Sequence, residues 1–378
     1  MMLSMKFILV LLCFSLLCGC SKKEEVDYQV VPFLNMQQQI VLPFNTSVHV
    51  TINTNNQEKD EQKIQQYIEE YHELLDGYDN YEEVHNLKTI NDYAGTNVPV
   101  SVNKELYNLI KESIHITKLS EGKYNTTIEP LYQLYKPLFS SLPMIKEDPT
   151  QEEIQQAKAC VVPYTDIDEV IELDDAGQTI TIHSYDSCDK PQISLGAIGK
   201  GYATDQLKEK MKDVEMSIDM GSSTIYSNYK QLKVGIRSPL DSSTYAYPIQ
   251  LDIHKALSTS GDDQNYYLVE QDGKQIRRSH IIDATLGYSL NYYRNVTVIT
   301  DNNMLADALS TIFFLCKDTD EIKKYATIFE EEYDTQISYS LLKETEDSKL
   351  QLIVNDTMKP YILDQYLSEE ITEVTYAQ

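Results

Sequence analysis

The chain has no tryptophan, and its basic residues are scarce: 32 Lys and Arg stand against 59 Asp and Glu, for a formal net charge of −27. This shortage argues against nucleic-acid binding, because a phosphate backbone is held by clustered cations. It argues equally against docking on an anionic membrane surface. A protein this acidic can hold an anionic ligand only with the help of a cation or of converging backbone N–H groups.

Cysteine is scarce as well, and beyond residue 20 it occurs only at Cys160, Cys188 and Cys316. An odd number argues against a complete disulfide framework. Pairing of Cys160 with Cys188 in an oxidising compartment stays open, because spacing alone cannot decide it. The same region has no CxxC motif and no His-rich cluster, so nothing predicts a zinc site. It also has no second apolar run long enough to cross a membrane.

The N-terminus has the layout of a signal peptide over residues 1–19, with one lysine before an apolar run at 7–17. This run is too short for a permanent membrane-spanning helix. It ends in LCGC, and a leucine three places before a cysteine predicts a lipoprotein signal with Cys20 as the lipidated residue. The alternative is an ordinary signal peptide cut nearby. Residues 20–37 then form a tether, polar and flexible at its start. The prediction places the protein at the extracytoplasmic face of a bacterial membrane, held by its lipid anchor only.

Apolar periodicity predicts both helices and strands. Residues 60–75 have helical spacing, Asn103 is placed to cap a second helix, and residues 170–183 are typical of a hairpin. Helices and strands come in separate runs, which favours an α+β fold with mixed strands and helices. We expect a single large domain over residues 38–360 and a peripheral tail over 361–378. The further predicted elements are strands at 47–53, 232–236, 249–253, 296–300 and 351–354 and helices at 201–212 and 305–315.

The first motif with chemical content is SLGAIGKGYATD at residues 194–205. Its three glycines let the backbone approach a ligand closely. The helix that follows offers unpaired N–H groups and a partial positive charge to a phosphate, and Lys200 adds a full charge. The spacing matches neither the Walker A loop nor the dinucleotide fingerprint. Taken alone, the segment supports an anion site and a tight turn before a helix about equally.

The second motif, SHIIDATLGY at residues 279–288, contains His280 and Asp283 three positions apart. Such a pair could supply acid–base groups or form a hydrogen-bonded pair. An unperturbed histidine is already poised for proton transfer near neutral pH. The segment alone nevertheless favours a turn with a solvated histidine.

The third motif places Asp307 and Thr311 four residues apart in a predicted apolar helix, so that both side-chain oxygens share one face. A carboxylate in such a stretch is costly unless it is paired or bound to a cation. A hydroxyl and a carboxylate are hard oxygen ligands that suit Mg²⁺. The alternative, with equal support from this segment, is a pair with a buried Arg or Lys.

These three motifs, in this order behind a lipoprotein signal, resemble the FAD:protein FMN transferase family of ApbE-type flavin transferases. The resemblance extends over roughly residues 43–354. It also includes LKTIN at 87–91, GKYNTTIEPL at 122–131 and STSGD at 258–262, which resemble the family's S-x-x-x-x-L-N, G-x-F-D-x-T-x-x-P-L and T-S-G-D stretches.

The resemblance implies a FAD-binding domain that transfers the FMN half of FAD, with Mg²⁺, onto a Thr or Ser of an extracytoplasmic acceptor flavoprotein. It implies metal ligation by the carbonyl of Ala197 and by Asp307 and Thr311. It implies a proton-transfer role for His280, with Asp283 as the alternative. The implied FAD contacts are Ser194, Ala197, Ile198, Gly199, Lys200, Ser260, Ile281 and Ile282.

Several positions depart from the family pattern. Ser194 stands where the family usually has an Asp that contacts the cofactor, and Ala284 stands in place of a proline. Residues 219–223 (DMGSS) replace a turn richer in glycine, and Asn45 replaces a glycine. Two alternatives therefore remain: hydrolysis of FAD to FMN and AMP at the same site, and a lipoprotein that binds flavin without turnover.

Overall fold

The computed structural model describes residues 29–30, 44, 46–140, 142 and 144–377. The predicted signal peptide, Cys20 and most of the predicted tether lie outside these residues. Within the described ranges, no helix combines the length and the apolar character that crossing a bilayer requires.

The elements of the described chain follow in sequence order. The helices are α1 (Gln57–Leu75), α2 (Leu87–Tyr93), α3 (Lys104–Leu119), α4 (Glu129–Tyr135), α5 (Gln151–Lys158), α6 (Ile167–Val170), α7 (Gly199–Lys210), α8 (Asn303–Phe314) and α9 (Thr319–Tyr333). The strands are β1 (Gln29–Val30), β2 (Val48–Asn53), β3 (Val100–Ser101), β4 (Ile171–Asp174), β5 (Thr179–Ile182), β6 (Glu215–Met220), β7 (Thr224–Ser227), β8 (Leu232–Arg237), β9 (Tyr245–Leu251), β10 (Ala256–Gly261), β11 (Tyr266–Gln271), β12 (Lys274–Ser279), β13 (Asn295–Thr300), β14 (Ser338–Glu344), β15 (Leu350–Asn355) and β16 (Ile371–Ala377).

A nine-stranded sheet organises the fold in the order β1-β2-β6-β7-β10-β13-β14-β15-β16. Its neighbours pair antiparallel, except β15 and β16, which run parallel. Smaller sheets are formed by β3-β5-β4, β8-β9 and β11-β12. The α+β prediction is thus confirmed, and helices and strands do not alternate as in a doubly wound sheet.

The centre of the molecule is α8, which packs against β10, β13 and α7. Nearly every α8 residue is buried, and its polar side chains at Asp307, Ser310 and Thr311 lie within an otherwise mostly apolar helix. The facing strand β13 is buried along its whole length. Asp307 and Thr311 therefore sit on a helix that is enclosed by neighbouring elements.

Most predicted elements are present with shifted ends. Helix α1 starts three residues earlier than predicted, and α7 starts at Gly199 rather than at residue 201. The Asn103 cap is confirmed, since its side-chain oxygen accepts the Leu106 N–H at 2.8 Å. Strands β4 and β5 form the predicted hairpin. The predicted tail is attached to the sheet, because β16 forms its edge strand beside β15.

The disulfide that spacing left open is present between Cys160 and Cys188, whose Cα atoms are 5.1 Å apart. It ties the segment after α5 to the segment after β5. Cys316 is a buried free thiol.

Candidate active site

A cavity of about 770 Å³ opens beside the centre of the sheet. Its walls come from the loop before α7, the segment after β12, the C-terminal end of β10 and one face of α8. The predicted site residues that line it are Ser194, Ala197, Lys200, Ser260, His280, Ile281, Ile282, Asp307 and Thr311. Sequence-distant motifs therefore meet at one site. Ile198, Gly199 and Asp283, which the resemblance also implied, are not among the lining residues.

Asp307 is buried at 3% exposure and is held by hydrogen bonds from three elements. Its Oδ1 accepts the hydroxyl hydrogens of Thr224 at 2.8 Å and Ser258 at 2.7 Å. Its Oδ2 accepts the Gly201 N–H at 2.8 Å. The Lys200 Nζ lies 3.9 Å from Oδ2, which is an ion pair without a hydrogen bond. Lys200 is thus the basic partner that the alternative interpretation of Asp307 required, and cation binding by Asp307 stays a prediction.

The approach of α7 to α8 depends on Gly201. A Cβ at this position would lie 2.2 Å from the backbone oxygen of Asn303. Only glycine therefore lets the Gly201 N–H reach Asp307. Asp205, one turn further along α7, accepts hydrogen bonds from the Asn303 side chain at 2.8 Å and the Met304 N–H at 2.9 Å, so it caps the start of α8.

The loop before α7 is held rigidly, but not in the way the sequence suggested. The side chain of Asn91 brackets the backbone of Ile193, accepting its N–H and donating to its carbonyl, both at 2.8 Å. The N–H groups of Ile198 and Gly199 both donate to the Leu195 carbonyl. Because these donors are already used, the expectation that they cradle a phosphate is corrected. The positive charge at this wall comes from Lys200 and Lys123.

His280 is half-buried in the cavity wall, with its ring edge-on to Phe139. Its backbone N–H donates to the Asn265 carbonyl at 3.0 Å, and its Nδ1 is buried with no hydrogen-bond partner among the described residues. Burial, together with the nearby charge of Lys200, lowers the pKa of His280 to about 4. The expectation of an unperturbed histidine is therefore wrong.

Asp283 has a structural task in this fold. Its Oδ1 accepts the N–H groups of Thr285 at 2.9 Å and Leu286 at 2.8 Å, which closes a turn within the second motif. Its Oδ2 lies 3.9 Å from the Lys123 Nζ. Because the Asp283 carboxylate is engaged in these contacts and does not line the cavity, it is poorly placed to accept a proton from a substrate.

Two buried carboxylates behind the wall had no role in the sequence analysis. Asp262 is fully buried and pairs with Arg277 at 3.0 Å and Arg294 at 3.1 Å, and burial raises its pKa to about 6 despite these arginines. Burial also raises the pKa of Glu129, which interacts with Gln133 and Ser194. The only signal in the sequence was that these acidic residues fall inside motif segments.

The fold and the cavity define an α+β protein with a large cleft, in which the buried carboxylate of Asp307 lies beside Lys200. The family model described as the ApbE family matches residues 44–334, and the chain belongs to this family.

Proteins named FAD:protein FMN transferase are similar to this chain in sequence. The chain is 24% identical over 271 residues to the FAD:protein FMN transferase of Haemophilus influenzae, covering 69% of this chain and 74% of that protein. It is 28% identical over 251 residues to the FAD:protein FMN transferase of Vibrio cholerae, covering 63% and 69%.

Solved structures share the fold. The ApbE protein of Thermotoga maritima superposes with a TM-score of 0.68 at 22% identity, over 85% of this chain and 97% of that one. The flavin transferase ApbE from Vibrio cholerae gives 0.66 at 21% identity, over 89% and 99%.

Proposed function

We propose that this chain is a Mg²⁺-dependent FAD:protein FMN transferase that esterifies a Ser or Thr hydroxyl of an extracytoplasmic acceptor flavoprotein with FMN. Membership of the ApbE family and the names of the relatives support the activity. The observation that carries the proposal is the convergence of Asp307, Thr311 and Lys200 on one cavity. An acidic protein gains there the positive charge that a pyrophosphate substrate needs.

The residues at this point fit Mg²⁺. Asp307 accepts three hydrogen bonds, and a carboxylate offers about four lone-pair sites. Thr311 lies one helical turn away, and its hydroxyl has a loose 3.4 Å contact with Ser260. The carbonyl of Ala197, which also lines the cavity, would complete an all-oxygen set of the kind that Mg²⁺ prefers. No cluster of three His, Cys, Asp or Glu side chains occurs in the described ranges, so this cation would rest on a single carboxylate.

The reaction is a displacement at phosphorus. The acceptor hydroxyl oxygen forms a bond to the phosphorus of the FMN half of FAD, and the bond from that phosphorus to the oxygen of the AMP phosphate breaks. AMP leaves with the bond electrons. A bound Mg²⁺ would neutralise charge on the pyrophosphate. Lys200 holds part of the remaining negative charge of the substrate. Lys123 also lines the cavity, but its Nζ lies 3.3 Å from Glu321 and donates to the Leu315 carbonyl at 3.1 Å.

His280 serves this reaction as a neutral group. With a pKa near 4, its imidazole is uncharged at neutral pH and can accept a hydrogen bond from the acceptor hydroxyl. It thereby orients the nucleophile and takes its proton as the new ester forms. A base of such low pKa is weak, so the positive charges around the phosphates supply most of the rate enhancement.

The test uses the chain from residue 21 onward, incubated with FAD, Mg²⁺ and membrane proteins of the source cell. We expect an acceptor whose mass rises by one FMN, together with stoichiometric AMP. Asp307→Ala should abolish both while its circular dichroism spectrum remains that of a folded protein. AMP without a modified acceptor would indicate hydrolysis, and bound FAD without AMP would indicate a carrier. Normal transfer by Asp307→Ala would refute the site assignment.

The proposed location rests on the sequence alone. Lipidation of Cys20 would hold the domain at the extracytoplasmic face of the membrane, where an acceptor flavoprotein is exposed. Mass spectrometry of the mature N-terminus tests this. Cys20→Ser should move the protein from the membrane fraction to the soluble fraction, and unchanged membrane association would contradict the anchor.

A further inference from the structure

The cavity extends well beyond the phosphate site, along strand β8. All six residues of β8, Leu232–Arg237, line it, whereas Tyr245 is the β9 residue that does so. Side chains alternate between the two faces of a strand. A cavity lined by every residue of β8 therefore runs along the edge of this strand and not over one of its faces.

This edge has no partner strand in the described part of the chain, because β8 pairs with β9 alone. Gly235 stands opposite Pro248. The Pro248 carbonyl accepts the Leu363 N–H at 3.1 Å, so the backbone of Pro248 points away from β8. Gly235 and Pro248 thus form a non-hydrogen-bonded pair, and the N–H and C=O of Gly235 point into the cavity. Those of Lys233, two residues earlier, point the same way.

The part of the cavity along the free edge of β8 forms a groove with an apolar floor and an ion pair at its far end. Apolar residues of the main sheet, among them Ile218, Ile225 and Leu257, line the cavity beside β8. At the end of β8, the Arg237 Nη1 lies 3.9 Å from Asp263 Oδ2.

Asp263 follows the end of β10 at Ser260 and Gly261, and the Ser260 Oγ is 3.4 Å from the Thr311 Oγ1. The free edge therefore leads from solvent to the site proposed for the cation.

We propose that the acceptor protein binds by strand addition, with the segment that carries its Ser or Thr extended along the free edge of β8. Only a polypeptide offers N–H and C=O groups at the two-residue repeat that Lys233 and Gly235 present. The six residues of the edge span about 20 Å, which is enough for several ladder bonds. The inference rests on the proposed function, because it describes how the second substrate, the acceptor protein, binds at the same site.

The matched variants are Lys233→Pro and Lys233→Ala. Both remove a side chain whose Nζ lies 3.8 Å from the Tyr366 ring centroid. Only proline also removes the outward N–H, and proline is tolerated on a strand edge where that N–H makes no ladder bond. The substrate varied in the kinetic assay is a synthetic peptide that contains the Ser or Thr that the wild-type chain modifies in its acceptor.

Lys233→Pro should raise the KM for this peptide about two- to tenfold over Lys233→Ala, the value of one hydrogen bond. The KM for FAD should be equal in the two variants. An equal peptide KM, or a change in the KM for FAD instead, would overturn strand addition while transfer itself still stands. Absence of any modified acceptor with the wild-type chain would instead refute the proposed function.

Amide hydrogen exchange of the wild-type chain provides a second measurement that does not depend on a variant folding. The probe is the same peptide with its acceptor Ser or Thr replaced by Ala, added with FAD and Mg²⁺. Amides of Lys233 and Gly235 should exchange freely without peptide and slowly with it. Protection already present without peptide would show that the chain covers its own edge, and unchanged exchange would show that the peptide binds elsewhere. Either result would contradict the inference.

Discussion

Replacement of Thr311 by valine separates cation binding from stability. Valine keeps the branched shape of threonine and removes its hydroxyl. In the structure this half-buried hydroxyl has one hydrogen-bond contact within the described residues, at 3.4 Å to Ser260. Thr311→Val should therefore cost about 1 kcal/mol or less in the free energy of unfolding. If the hydroxyl is a cation ligand, the Mg²⁺ concentration for half-maximal activity should rise about tenfold or more.

The neighbouring Ser310 provides the matched control. It is buried, and its hydroxyl donates to the Asp307 carbonyl at 2.9 Å and bonds Ser260 at 2.8 Å. Ser310→Ala should cost more stability, about 1–3 kcal/mol, because partners are left unsatisfied. It should leave the Mg²⁺ dependence unchanged.

The assays are urea denaturation and AMP release from FAD against Mg²⁺ concentration. If Thr311→Val kept the Mg²⁺ dependence of the wild-type chain, the Thr311 hydroxyl would not be a cation ligand and the prediction would be refuted.

Three further predictions concern other parts of the fold. Because the pKa of His280 is about 4, its imidazole stays neutral and its protonation should not affect transfer between pH 8 and pH 6. Activity that depends on the neutral form should fall only as the pH approaches 4. An inflection near pH 6.5 in the pH–rate profile that is absent in His280→Asn would contradict this prediction. Gly201→Ala should destabilise by about 1–3 kcal/mol, since its Cβ would overlap the Asn303 backbone; an unchanged denaturation midpoint would count against it. Reduction of Cys160–Cys188, 28 residues apart, should cost about 3–4 kcal/mol, measured by denaturation with and without dithiothreitol, and equal curves would exclude this contribution.

Much of the site followed from local patterns. Asp307 and Thr311 share a helix face because they are four residues apart, whatever the rest of the chain does. The glycines and Lys200 lie in one short segment at the start of α7, and His280 lies in a short segment after a strand. These are consequences of spacing, and the structure gathers Lys200, His280, Asp307 and Thr311 around one cavity.

The uses of backbone donors did not follow from local patterns. The loop before α7 has the composition of a phosphate cradle, yet the N–H groups of Ile198 and Gly199 donate to Leu195 and that of Gly201 donates to Asp307. Which acceptor satisfies a given N–H depends on the chain that packs against it. That partner, for Gly201, is 106 residues away.

The sequence by itself determined the α+β class, the family resemblance and the chemical types gathered at the site, because composition, periodicity and motif spacing are properties of the chain. Only the tertiary structure decided the environment of each group. The order β7-β10-β13 brings Thr224 and Ser258 to Asp307, burial beside Lys200 lowers the pKa of His280, and the pairing of β8 with β9 alone leaves one edge open to the cavity. Hydrogen-bond partners, desolvation and free strand edges arise from contacts between distant segments, which no local pattern specifies.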